Sequence, residues 1–356
     1  MRHRMLALVA ALAPLAAATF ASAQPTAQFR EWNRPIPPFR VAGPLYYVGV
    51  AQVTSLLLTT GQGHILIDGA FEQSAGRILD NVRTLGFKPE DVKVLLSTHA
   101  HLDHAGGLAE IKARTGARLY AGAPDAPLLA RGGRGDFAFG DTLPFPPVTV
   151  DVPVKDGDLV ELGGLTVRAI ATPGHTMGCT SWSFTVDEGG KPLRVLVLGG
   201  TTAPGYRLID NAAYPTIAAD FERTFARLKN EAVGVFFEGH GFQFGLDEKR
   251  AGKRSFVDPE GYRVRIAEAG RAIREQLEKQ RAAGQPAAAA PEAGKVNEAR
   301  LGRVAPHAAE ESGCRPLTAG SWARGSTRVF EPGEVLLCAR LSALHQLLGP
   351  GRRSAR

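Results

Sequence analysis

Cysteine is scarce in this chain. Three in 356 residues are too few for a disulfide framework, so the fold must rest on a hydrophobic core. Beyond the first two dozen residues, no apolar run approaches the ~20 residues that a membrane-spanning helix needs. An integral membrane segment is therefore excluded from the mature chain. A basic run interleaved with aromatics is also missing. Basic residues outnumber acidic ones, 42 against 35, but they are scattered, and several lie in the two ends of the chain. The charge balance does not build a nucleic-acid face. No strong internal repeat is visible. What the chain does have is apolar side chains: 44% of its residues are hydrophobic, ample for one large domain or two ordinary ones.

The two ends differ from the middle. Arg2, His3 and Arg4 precede an almost unbroken apolar stretch over residues 5–18, and Ala21-Ser22-Ala23 offers a small-residue cleavage site before Gln24. That order reads as a signal peptide over residues 1–23, with the mature chain exported to the periplasm, an oxidising compartment. From residue 284 the composition turns to low complexity. Gln285 to Pro291 reads as a linker, and residues 284–356 as that linker plus a basic, largely disordered tail with a short helix at 341–348. A Cys314–Cys338 disulfide is permitted there. Residues 24–283 are left as the folded domain.

Within that domain the patterning alternates. Residues 24–44 are Pro-rich and read as an extended arm, with Trp32 and Phe39 as contacts to the body. Strand patterns follow at 46–50, 53–60 and 64–68, with Gly61 and Gly63 at a turn. Ile78, Leu79, Val82 and Leu85 share one face of a helix predicted over 74–85, which Gly86 stops. A strand at 92–97, a helix at 109–115 and a strand at 118–120 continue an α/β order. Residues 122–151, rich in Gly, Pro and Phe, read as a long loop or lid. Strands return at 159–162, 165–170, 180–186 and 194–198. A helix at 217–229, a strand at 233–237 and helices near 247–253 and 259–281 complete the body. Two β-then-α halves result, the first ending near residue 130 and the second near 283.

The chemistry concentrates at strand ends. His99-Ala100-His101-Leu102-Asp103-His104 puts four good metal ligands inside six residues, directly after the apolar strand 92–97. Strand ends are where α/β folds open their binding crevices. Imidazoles mixed with one carboxylate suit zinc, and two ions better than one. His99 and His101, at i and i+2, reach one cation; Asp103 and His104 point at a second. The missing ligands must come from other loops. His175, in Gly174-His175-Thr176, follows the strand 165–170, and His240, in Gly239-His240-Gly241, follows the strand 233–237. Cys179 reads as a small buried residue, because imidazoles and carboxylate already fill two sites. His64 reads as structural, and His307 and His345 in the tail take no metal role.

These motifs resemble the metallo-β-lactamase fold superfamily, and most closely its subclass B3. Further stretches carry the resemblance: Trp32-Asn33-Arg34-Pro35 with Phe39, Tyr46-Tyr47-Val48-Gly49, Asp136-Phe137-Ala138-Phe139-Gly140-Asp141, Phe145-Pro146-Pro147 and Ala203-Pro204-Gly205-Tyr206. It covers roughly residues 30–283. It implies an αββα sandwich, two β-sheets flanked by helices, with two Zn2+ per chain at one edge. His99, His101 and His175 would hold the first zinc; Asp103, His104 and His240 the second. Three neutral imidazoles leave a tetrahedral position for water, whose pKa zinc lowers to ~7. The implied function is zinc-dependent hydrolysis of the β-lactam amide by a metal-bridging hydroxide, that is, antibiotic resistance. Asp103 would orient that hydroxide, and the second zinc would stabilise the departing ring nitrogen. Asp68 resembles a residue that braces the histidine loop from behind. Thr201 and Thr202 are candidate donors to the substrate carboxylate, where the family often has Ser. The expected partner is a small-molecule β-lactam, and the expected assembly a monomer.

Two other functions fit the residues. One is a hydrolase of the same fold acting on lactones, thioesters or phosphoesters. Such enzymes, glyoxalase II and the acyl-homoserine lactonases among them, use an Asp to bridge both metals, in a Gly-Asp pair after the strand that follows the Gly-His-Thr loop. Here that strand runs into Gly199-Gly200-Thr201-Thr202, with no carboxylate, and Asp210 lies too far on. This absence favours the lactamase arrangement. The other is a zinc-binding envelope protein without turnover.

Overall fold

The computed structural model describes residues 26–284. The expected signal peptide, the linker and tail beyond residue 284, the Cys314–Cys338 pair and the helix at 341–348 lie outside the described residues. The expected extended arm is a helix followed by a strand. Helix α1 (Ala27–Trp32) starts at Thr26, whose hydroxyl accepts the Phe29 N–H at 3.1 Å. Pro35, Pro37, Pro38 and Pro44, which suggested extended chain, lie after this helix. They are confined to the link before strand β1 (Phe39–Ala42) and to the turn before β2 (Leu45–Tyr47).

Strands β1, β2, β3 (Leu56–Thr60) and β4 (Gly63–Ile67) run antiparallel. The chain then crosses through helix α2 (Ala75–Thr84) to β5 (Val92–Leu96), parallel to β4. Helices α3 (Leu102–Ala105) and α4 (Leu108–Thr115) lead to β6 (Arg118–Gly122), and α5 (Ala126–Ala130) precedes β7 (Val152–Val154), both strands again parallel to their neighbours. These seven form one sheet in chain order. The three-residue β7, just after the expected lid, carries too little alternation to be seen in sequence.

The second sheet is antiparallel through β8 (Leu159–Leu162), β9 (Leu165–Ala171), β10 (Thr180–Glu188) and β11 (Lys191–Val197). Helix α6 (Ile217–Leu228) then carries the chain to β12 (Val235–Phe237), parallel to β11. Helices α7 (Gly241–Phe244), α8 (Leu246–Arg250) and α9 (Pro259–Gly284) follow. Among the described residues no helix is long and apolar enough to cross a membrane.

Period-2 alternation sorts the first sheet's side chains into two layers. Leu57, Leu66, Leu95 and Leu119 pack with Ile78, Leu79 and Val82 of α2 and Ile111 of α4. Leu56, Leu58, Ile65, Ile67, Val94 and Leu96 pack with Val167, Ala169, Trp182, Phe184, Val195 and Val197 of the second sheet. Phe221 and Phe225 of α6, with Ile266 and Ile273 of α9, join that same core. The result is the αββα sandwich. Burying each Leu or Ile fully contributes about 1.5–3 kcal/mol relative to exposure. A one-residue slip of β3 or β4 would swap the two layers, so the register is tightly specified.

Candidate metal centre

Three strand ends meet at one edge of the sandwich: the exits of β5, β9 and β12, which carry residues 97–104, 172–176 and 238–240. The first of these is not all loop. His101 is the residue before α3, and Asp103 and His104 stand on its single turn. A carboxylate in a helix's first turn is favoured by the helix dipole. Two residues whose α-carbons lack a side chain make room for the imidazoles. A Cβ at Gly200 would sit 2.1 Å from the His175 ring, and one at Gly239 2.8 Å from that of His104.

The structure gathers the six sequence-derived residues into two sets of three, His99/His101/His175 and Asp103/His104/His240, each with ligand atoms within 4.8 Å of one another. The sets adjoin: the His99 and His104 rings lie 4.3 Å apart between centroids. No carboxylate is shared between the two sets among the described residues. His101 Nδ1 faces His175 Nε2 at 3.1 Å. Tetrahedral zinc ligands at about 2.0–2.1 Å from the ion stand roughly 3.3 Å apart, so the donor set fits that metal.

Each imidazole turns one nitrogen toward its set; the other is in a polar contact from behind in three of the five and faces a carboxylate in the remaining two. His99 Nδ1 meets the Thr98 hydroxyl at 3.1 Å, and His175 Nδ1 meets the Thr202 carbonyl at 2.6 Å. His240 Nδ1 meets the Gln52 carbonyl at 3.2 Å. His101 Nε2 faces Asp136 Oδ2 at 3.5 Å, and His104 Nδ1 faces Asp68 Oδ2 at 3.4 Å. Partners of this kind fix the tautomer and aim the free lone pair. Asp68, in left-handed backbone at φ 60°, also accepts the Thr98 N–H at 2.8 Å and the Thr98 hydroxyl at 2.6 Å.

Electrostatics keep most of these rings neutral at pH 7. Burial, with the neighbouring imidazoles, lowers the His99 pKa well below its usual value. Burial lowers His175 to about 3 and His240 to about 4. His104 differs: burial opposes its charge, but the carboxylates of Asp103 and Asp68 outweigh that and raise its pKa. Burial acts to raise Asp103, and the imidazoles of His104, His240 and His101 override it, holding the carboxyl low. Neutral lone pairs converging beside a carboxylate make a site for cations.

Two carboxylates that sequence reasoning left without a role lie in the expected lid. Asp125, just before α5, accepts the Ala100 N–H at 3.0 Å, the Thr176 hydroxyl at 2.6 Å and the Gly178 N–H at 2.7 Å. It thus ties the β5 exit to the β9 exit. An Asp in a stretch that reads as loop is unremarkable, so nothing in the sequence marked it. Asp136 appeared in a family-like stretch but carried no assignment. The lid itself largely packs down, with Leu129, Phe145 and Val148 buried.

Thr201 is a correction. Its hydroxyl donates to Glu238 and accepts from Arg265 Nη2 at 3.0 Å, and the residue is buried. It has no donor left for a substrate carboxylate. Thr202 remains half-buried, and its carbonyl, not its hydroxyl, serves His175. Cys179 is buried, its thiol pushed by burial up to about 12, and belongs to neither set. His64 packs edge-on against Phe87 at 5.1 Å, away from the centre.

Comparison with known proteins agrees with this geometry. Residues 48–188 match the family model of the metallo-β-lactamase superfamily. A solved metallo-β-lactamase of Cronobacter sakazakii is 44% identical, with 72% of this chain and 99% of that one covered at a TM-score of 0.69. That enzyme carries a HARLDQ motif; residues 99–104 here read HAHLDH. A native metallo-β-lactamase from Legionella gormanii is 37% identical, over 70% of this chain and 98% of its own, TM-score 0.68. A subclass B3 metallo-β-lactamase of Bradyrhizobium japonicum is 40% identical, over 71% and 98%, TM-score 0.67. Among curated proteins, a hydroxyacylglutathione hydrolase of Methylobacterium nodulans is 37% identical over 110 residues, 31% of this chain. The match spans about a third of that relative's length, 35%.

Proposed function

The chain belongs to the metallo-β-lactamase superfamily of hydrolases, and from that premise we propose that it opens β-lactam rings with two zinc ions held by the two triads. His99, His101 and His175 hold one ion; Asp103, His104 and His240 hold the other. When bound, zinc supplies an acidified water, with pKa near ~7, and polarises the carbonyl under attack. The chain's own groups do the rest. Asp103, whose carboxylate lies 3.5 Å from both His104 Nε2 and His240 Nε2, accepts a hydrogen bond from the attacking water and orients it. The five back-side partners keep the ligand nitrogens aimed without rearrangement, which is how preorganised sites lower a barrier. The substrate lies with its departing ring nitrogen on the Asp103/His240 side, the more open of the two.

The observation that carries this reading is the pair of adjoining ligand triads, in a chain covering 99% of a solved metallo-β-lactamase at 44% identity. The curated hydroxyacylglutathione hydrolases support a second reading, thioester hydrolysis. Among the described residues no carboxylate is shared between the triads, which argues against it. The charged start, apolar run and Ala-Ser-Ala of residues 1–23 support export to the periplasm, where such an enzyme would meet antibiotics. The test is turnover of a carbapenem and nitrocefin by mature protein, with zinc counted per chain. We expect hydrolysis of both, lost on chelation and restored by zinc. Turnover of a glutathione thioester but neither lactam would overturn the proposal.

A further inference from the structure

Five large hydrophobic side chains stand exposed among the described residues: Leu159, Met177, Phe242, Val257 and Val264. Single exposed apolar residues need no special account. Two of these, however, follow a clustered histidine by two positions, Met177 after His175 and Phe242 after His240. Phe242 is the one aromatic among them and is 59% exposed. The short helix α7 turns Phe244 into the core and Phe242 outward. The Phe242 ring lies flat on the His240 imidazole, with centroids 5.3 Å apart and planes 5° from parallel. Trp32 completes a three-ring cluster, 4.4 Å from His240 and 6.0 Å from Phe242.

This cluster stands at the open end of the centre. His240 Nε2 points at Asp103, and the side chains of both are 17% exposed. When a bicyclic lactam opens, the nitrogen leaving on that side is part of the fused ring. In the proposed orientation the fused ring and its substituent would lie beside Phe242, and the acyl substituent toward the other triad. We propose that Phe242 determines specificity: its ring, backed by His240 and Trp32, is a shelf for an aryl or other apolar substituent on the fused ring. The inference rests on the lactam-hydrolase reading of the same site. An aromatic contact of this kind is worth a preference of up to about tenfold in binding.

The test compares two cephalosporins with one acyl side chain. One carries an aryl-vinyl group on the six-membered ring, the other a methyl at the same carbon. In Phe242→Ala we expect KM to rise about fivefold to tenfold for the aryl substrate, with kcat within twofold and the methyl substrate's KM within twofold. Zinc per chain should stay as in the parent. Phe242→Tyr should restore the preference. Equal KM changes for both substrates, or none, would overturn the shelf. Should Phe242→Ala lose zinc, Phe242→Leu, which still covers His240, carries the same comparison. If the parent protein hydrolyses neither compound, the lactamase reading fails by itself. Calorimetric binding of the same pair then decides the shelf: a parent preference for the aryl compound that Phe242→Ala removes sustains it, and no parent preference ends it.

Discussion

The two triads are built differently. His99, His101 and His175 are all buried, at 3%, 8% and 9% exposure, and Asp125 ties two of the loops that carry them into one unit. In the other triad His104 is buried, but Asp103 and His240 are each 17% exposed at the side chain. The His240 loop is held from one side by an ion pair, Glu238 with Arg265 of α9, at 2.6 and 2.8 Å. The first triad is a closed cradle. The second is an edge that substrate can reach. A preorganised, desolvated donor set binds more tightly than one that keeps water, so the first ion should be the tighter.

The largest effect that tests this contrast is ligand removal. His175→Ala should abolish zinc binding at the first triad and cut carbapenem turnover on the order of 10³-fold or more. Asp103→Ala should lose the second ion alone, with a large drop in turnover. Metal analysis of the two purified variants checks both. Retention of two ions in Asp103→Ala, or parental turnover with one, would break the two-triad picture. Stepwise chelation sharpens it: zinc per chain should fall from two through a plateau near one. Simultaneous loss would mean the triads are equivalent after all.

Next in size are the two braces. Asp125→Ala strands three buried donors at about 1–3 kcal/mol each, and weakens the first zinc about 10–100-fold. Arg265→Met leaves the Glu238 carboxylate buried without its cation, a loss of about 3–5 kcal/mol, and should weaken the second ion preferentially. Thermal unfolding and zinc titration of each variant read this out. A Glu238→Gln/Arg265→Met double variant should recover part of the stability. If both single variants weaken the same ion, the braces do not divide between the triads.

Such braces also mark where sequence reading stops. The ligands were legible because chemistry needs them close: four in six residues, and two more at the ends of apolar strands with glycine beside them. The layers were legible because Leu57, Leu66 and Leu95 alternate with neighbours that face the other way. The carbonyls of Thr202 and Gln52 have no side-chain signature at all, since any residue supplies a carbonyl. Asp125 was one acidic residue in a stretch that reads as loop. Thr201 looked like a free hydroxyl because Arg265, its partner, lies 64 residues away. Helix α1 was hidden by prolines that follow it. Tertiary partners, not local propensity, decided each of these.

The smallest expected effect concerns Asp136, which guards the back of one ring in the closed triad. Its Oδ1 accepts the Ala138 and Phe139 N–H groups at 2.7 and 2.8 Å, and an Asn there can keep both bonds. Stability of Asp136→Asn should therefore change by less than about 1 kcal/mol. The other end of the side chain changes sign. A carboxylate oxygen facing His101 Nε2 favours the proton there and leaves the Nδ1 lone pair free toward His175. An amide NH2 donates to Nε2 instead and drives the proton onto Nδ1, the nitrogen that faces the triad. Zinc affinity at the first triad should fall about tenfold, with the ring's nitrogen NMR shifts reporting the tautomer change in the metal-free protein. An unchanged tautomer and unchanged affinity would show that the 3.5 Å contact is incidental and that burial alone sets the closed triad apart.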